Sequence, residues 1–146
     1  MWVLVANSSI ARIFSAPAAL GGLNEIESYS HSASRALDQE LNADRPGRTF
    51  DSMGSGRHAK EATVSPKEEE AVRFAEQLAA RLDEARAKGD LDALMIVAAP
   101  RFLGLLRQKL DPVTRDIVSL EIDQDLTRLA AKEIRKRLPE RLYSDL

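Results

Sequence analysis

Apolar and polar positions along the chain follow first a two-residue period and later a helical one. Trp2-Val-Leu-Val-Ala6 is apolar and rich in β-formers, and Asn7-Ser8-Ser9 supplies turn chemistry, so a strand followed by a reversal is predicted. Ile10-Ala-Arg-Ile-Phe14 reads as the returning strand, limited by Pro17. Gly21-Gly22 makes the next turn, and a third strand runs from Leu23 to Ser30. Its alternation through Leu23, Ile26 and Tyr29 is imperfect, which predicts an edge strand with one face in water. Three strands with short connections form an antiparallel meander.

The helical period takes over at Ser65. Ser65 can cap, Pro66 suits the first helical position, and Glu68 completes a capping box. Ala71, Ala75, Leu78, Leu82 and Ala85 make an apolar stripe with Phe74 and Val72 beside it, and Gly89 stops the helix. Leu94-Met-Ile-Val-Ala98 is continuously apolar, as a central strand covered on both faces should be. Arg101 to Leu110 reads as a short helix halted by Asp111-Pro112, and Val118, Leu120 and Ile122 alternate as the last strand. Asp123 or Asp125 would then cap a final helix with Leu126, Leu129, Ala130, Ile134 and Leu138 on its core face and Pro139 at its end.

Between these halves, residues 31–65 carry few large apolar side chains and many Ser, Asp, Arg and Gly. Loops of that length inside a domain are uncommon and usually mark function or disorder. The order β-β-β-loop-α-β-α-β-α predicts a single α/β domain over 1–146. Its one mixed five-stranded sheet is ordered 3-2-1-4-5 with three helices on its faces, the ribonuclease-H-like topology.

Composition narrows the chemistry. The 146 residues carry a net charge of −2, so there is no global basic field and DNA is not an expected partner. With no cysteine, disulfides, thiolate metal sites and thiol nucleophiles are excluded. The longest apolar run, Leu94 to Pro100, is far shorter than the roughly 20 residues that cross a bilayer, and no cationic apolar leader opens the chain. Membrane insertion is therefore not expected, and a cytoplasmic location is.

Several chemistries lack their residues. A two-metal nuclease on this topology needs carboxylates converging at strand ends, but the first strand ends in Asn7 and the fourth in Ala98-Ala99-Pro100. Ser55 lies in Met53-Gly-Ser-Gly-Arg57, which is not a nucleophile elbow, and Gly54-x-Gly56-x-x-Ala59 neither leaves a strand nor opens a helix. His31 and His58 both lie in the polar stretch and read as solvated surface histidines. No catalytic residue, metal site or cofactor is expected.

One constellation remains. From residue 45 to 60, Arg45, Arg48, Arg57 and Lys60 face Asp51 alone, and glycines among them let the backbone turn closely. Such a basic loop can contact an RNA backbone. The same residues can equally form a solubilising loop, or a surface packed on a twofold neighbour. A second basic cluster, Lys132, Arg135, Lys136, Arg137 and Arg141, is what a helix C-terminus favours through its dipole alone. Gly104 costs helix propensity and suggests a close packing contact or a helix end.

Trp2-Val-Leu-Val-Ala-Asn7, Ala11-Arg-Ile-Phe14, Gly47-Arg48 with Phe50-Asp51, and Gly56-Arg-His-Ala59 resemble the bacterial host-attachment family. Phe74-Ala75, Ala98-Ala-Pro-Arg-Phe-Leu-Gly104 and Glu121-Ile-x-x-Asp-Leu-Thr127 carry the resemblance across essentially the whole chain. That family is similar in fold to the middle domain of eukaryotic and archaeal peptide-chain release factors, whose corresponding loop bears Gly-Gly-Gln and promotes peptidyl-tRNA hydrolysis. Here the loop has Gly54-Ser-Gly-Arg57 instead, so release activity does not carry over. The resemblance implies a ribosome- or tRNA-facing module, with Arg48, Arg57 and His58 foremost among its contacts. The alternatives are a homo-oligomer assembled through the edge strand or the loop and involved indirectly in attachment, and an ester hydrolase of the peptidyl-tRNA type.

Overall fold

The computed structural model describes residues 1–34, 36 and 65–144. Five strands, β1 (Trp2–Ala6), β2 (Ile10–Ser15), β3 (Asn24–Ser30), β4 (Leu94–Ala98) and β5 (Val118–Ile122), form one sheet in the order β3-β2-β1-β4-β5. β1 pairs antiparallel with β2 and parallel with β4; β2–β3 is antiparallel and β4–β5 parallel. The sheet is therefore mixed, in the order the sequence predicts.

Both central strands are buried along their whole length. Trp2, Leu4, Ala6, Leu94, Ile96 and Ala98 join the core on one face, while Val3, Val5, Met95 and Val97 join the core on the other. A continuous apolar run is required wherever a strand is covered twice. β3 lies at an edge with one side in water, as expected; Asn24, Glu25 and Ile26 are all exposed, and Glu27 and Tyr29 hold the half-buried positions, so Ile26 does not face inward.

The first face is covered by α1 (Pro66–Ala87), α2 (Pro100–Lys109) and α3 (Pro112–Asp116). Ser65 Oγ accepts the Glu68 N–H at 3.1 Å, and Ala71, Phe74, Ala75, Leu78, Ala79, Leu82 and Ala85 are buried. Only half of the capping box forms, because the Glu68 carboxylate lies 3.6 Å from Arg101. Beyond α1, Gly89 takes φ +85°, a left-handed conformation that side chains disfavour.

Helices exceed the three expected. Among the described residues there are α1, α2, α3, α4 (Ala131–Lys136) and one helical turn at 32–34, five helical segments in all. Asp111-Pro112 does end α2, but it also starts α3: Asp111 Oδ1 accepts the Val113 N–H at 2.9 Å with Pro112 at the first position.

The final helix is also shorter than its apolar spacing predicts. Residues 123–130 are not helical, because their polar groups bond elsewhere. Asp125 Oδ1 accepts both the N–H and the hydroxyl of Thr127, at 3.0 and 2.7 Å. The Arg12 guanidinium takes the carbonyls of Thr127 and Leu129 at 3.0 and 2.6 Å. Leu126, Ile134, Leu138 and Leu142 still reach the second core, from an irregular segment rather than from one helix.

Candidate functional site

At the carboxyl ends of β1 and β4 the chain diverges. From β1 it turns back through Ser8 and Ser9 into β2, and from β4 it enters α2 on the opposite side. Divergence of this kind opens a crevice in α/β sheets. Here the crevice has a volume of about 670 Å³, in the range of small-ligand sites, and is lined by Asn7, Ser8, Ser9, Ser65, Lys67, Glu68, Arg101, Phe102, Gly104, Gln108 and Asp125 among others.

Asn7 organises one wall. Its Oδ1 accepts the N–H groups of Ser9 and Ile10, each at 2.8 Å, which fixes the β1–β2 turn. Its amide nitrogen donates to Asp125 Oδ2 at 3.0 Å and to Thr127 Oγ1 at 3.2 Å, which pins the segment after β5 across the sheet end. Partial burial pushes the Asp125 carboxyl upward, but the bonds from Asn7 and Thr127 and the nearby Arg128 cation outweigh it and hold the group below the usual carboxylate range. Asp125 thus presents a fixed negative charge at this rim.

The opposite wall is the first turn of α2. Its cap position is Ala99, no side chain caps it, and Pro100 occupies the first helical position. The first-turn amides of a helix have no partner within it, and the Arg101 and Phe102 N–H groups hold those positions in α2. Arg101 is 93% exposed and contacts Glu68. One turn on, Gly104 lines the crevice with nothing within 4 Å of where a Cβ would stand. Among the described residues, then, nothing packs against this glycine as expected, and it leaves open space.

Residues 31 and 65, the two ends of the long polar stretch, both reach this rim. The His31 N–H donates to the Ser9 carbonyl at 2.8 Å, and Ser65 lines the crevice. His31 is not the solvated histidine expected. Its ring stacks on Phe74 at 5.2 Å between centroids, and Nε2 lies 2.9 Å from Glu70 Oε1. The bond from His31, followed by the attraction of Arg73, holds the Glu70 carboxyl below its ordinary value. Arg45, Arg48, Arg57, His58 and Lys60 lie outside the described residues.

Glu68 and Asp125 are the crevice carboxylates, and each is engaged, Glu68 with Arg101 and Asp125 with Asn7 and Thr127. Among the described residues no three His, Asp or Glu side chains gather as a metal ion would require. Sequence reasoning missed the crevice, although it left signals: a polar Asn-Ser-Ser at a strand end, a small uncapped Ala98-Ala99-Pro100, and a glycine inside an amphipathic helix.

A family model described as "Protein required for attachment to host cells" matches residues 2–138. No match was found among the curated proteins.

Proposed function

The chain belongs to the host-attachment family, and on that premise we propose that it is a non-catalytic module that binds structured RNA, on the ribosome or as tRNA. In this reading the ligand is held by the crevice and by the basic residues Arg45, Arg48, Arg57, His58 and Lys60, which lie outside the described residues. The observation that carries it is Gly104. A glycine inside a helix costs roughly 0.5–1 kcal/mol relative to alanine. Among the described residues nothing packs against Gly104 to account for that cost, and it lines the crevice. Room for a ligand explains it.

The surroundings support a phosphate-bearing ligand. The uncapped start of α2, Lys67 and Arg101 offer donors, the serine hydroxyls and Gln108 suit sugar oxygens, and Phe102 and Leu105 give an apolar wall. His31 and Ser65, which flank the polar stretch, both stand at this rim. The likeness to release-factor middle domains and to the ribonuclease-H-like topology belongs to this proposal, as does a cytoplasmic setting. A role in host-cell attachment would follow indirectly, through translation or its regulation.

The test is a titration of tRNA by fluorescence anisotropy across a salt series. The expected affinity falls linearly in log–log form, and Arg48→Ala/Arg57→Ala reduces the slope by roughly 1.5. No binding at low salt, or an unchanged slope in the double variant, overturns the reading. A second reading, self-association along β3, is favoured by Ile26, which is 43% exposed on that edge. A mass that rises with concentration while tRNA is ignored would select it.

A further inference from the structure

Residues 16–23, Ala-Pro-Ala-Ala-Leu-Gly-Gly-Leu, contain no polar side chain, yet they form the connection between β2 and β3, where Pro17, Ala18 and Leu20 are exposed. Leu20 is 62% exposed, more than any other large hydrophobic residue among those described. The connection is held outward by its neighbours. The Leu142 N–H donates to the Ala19 carbonyl at 2.9 Å, the Tyr143 hydroxyl to the Ala16 carbonyl at 3.1 Å, and Arg135 Nε to the Gly21 carbonyl at 2.7 Å. Grooves of about 540 and 510 Å³ flank Leu20, the first bordered by Lys136 and Leu138, the second by Tyr143.

The segment bordering this tip, residues 131–144, carries Lys132, Arg135, Lys136, Arg137 and Arg141 against Glu133 and Glu140, a net charge of +3; Lys136 lies 3.5 Å from Glu133, and Glu140 lines the same groove as Leu20. Lys132, Lys136, Arg137 and Arg141 are all exposed. A helix dipole does not explain them as a set, because α4 covers only Ala131–Lys136. Lys132 sits in its first turn, where the dipole disfavours a cation, and Arg141 lies beyond its end. A net-cationic segment beside a protruding leucine, with a tyrosine alongside, matches what an anionic bilayer rewards: headgroups for the charges, and hydrocarbon for the leucine. A nucleic-acid backbone would satisfy the cations alone and leave Leu20 in water.

We infer that the β2–β3 connection and the basic surface of α4 dock the protein on a membrane surface rich in anionic phospholipid, without spanning it. This face is separate from the crevice, so the inference stands or falls independently of RNA binding.

The test is flotation of the full chain with phosphatidylcholine vesicles, with and without phosphatidylserine. Partitioning is expected only onto the phosphatidylserine vesicles, and to weaken with salt. Lys136→Ala/Arg137→Ala should lower it about thirtyfold and Leu20→Ala about tenfold, while Lys88→Ala, at the C-cap of the helix on the other face of the sheet, leaves it unchanged. All four side chains are on the surface, and circular dichroism checks that each variant folds. Equal partitioning onto neutral vesicles, or none onto anionic ones at low salt, overturns the inference. So does an unchanged partition in Leu20→Ala, which would make the surface a general polyanion site, nucleic acid included.

Discussion

The amide of Asn7 donates to the carboxylate of Asp125 across 118 positions of sequence, at 3.0 Å, and so ties the end of β1 to the segment beyond β5. With the second bond to Thr127 and the two accepted from Ser9 and Ile10, Asn7 uses its whole side-chain amide. Asn7→Ala should cost about 2–3 kcal/mol, since several partners are left unsatisfied at once. Asn7→Asp keeps the acceptors for the turn but sets a second carboxylate against Asp125, so its loss should shrink as pH falls and one of the pair protonates. Urea unfolding at neutral and acid pH distinguishes the two variants.

Gly104→Ala should stabilise the fold by roughly 0.5–1 kcal/mol, because the new methyl meets no neighbour among the described residues and the helix interior gains propensity. The same methyl narrows the crevice, so RNA affinity should fall about fivefold or more while stability rises. Thermal unfolding and a tRNA titration on one preparation read both quantities. Gly89→Ala should do the opposite to stability, costing about 1 kcal/mol, because φ there is +85°.

Acid should destabilise the protein through its paired carboxylates. The bond from Arg12 holds Glu25 below the ordinary value, and the bond from Arg81, helped by Tyr29, does the same for Glu27; in both, burial opposes and loses. Groups depressed in the folded state bind fewer protons than in the unfolded chain. Their contribution is therefore full above about pH 5 and is lost as pH falls through the depressed values. Arg81→Met should cost about 1–2 kcal/mol at neutral pH, and should make the acid loss shallower by Glu27's share. Unfolding free energies measured from neutral pH down to about pH 3 check both parts.

Phe74 is the largest side chain of α1 buried without exposure, and it touches both His31 and Phe102, with ring centroids at 5.2 and 5.7 Å. Phe74→Ala should cost about 3–5 kcal/mol. Because His31 then loses its stacking surface, Phe74→Leu should lose less stability but weaken the same tie at the crevice rim. Urea midpoints order the three proteins.

Most of the sheet was legible in the sequence because its strands announce themselves locally. Trp2–Ala6 and Leu94–Ala98 are continuous apolar runs that only a doubly covered strand accommodates, and the order of elements leaves few ways to arrange them. The last helix was not legible. Leu126, Ile134 and Leu138 have helical spacing, but Arg12, more than a hundred positions earlier, takes the carbonyls that a helix through 127–129 would need. The crevice was hidden for a similar reason: Asn7, Arg101 and Asp125 meet only after β1, β4 and β5 align. The glycine that marks it stood in plain view, yet a sequence alone does not distinguish a glycine that packs closely from one that leaves room.

RNA binding in the cell is read by sedimentation of extract at low and moderate salt, with Arg48→Ala/Arg57→Ala run alongside. The wild-type protein should travel with ribosomes or tRNA at low salt and be released by moderate salt, and the double variant should stay at the top of the gradient while its circular dichroism is unchanged. A wild-type protein that remains at the top even at low salt would contradict RNA binding.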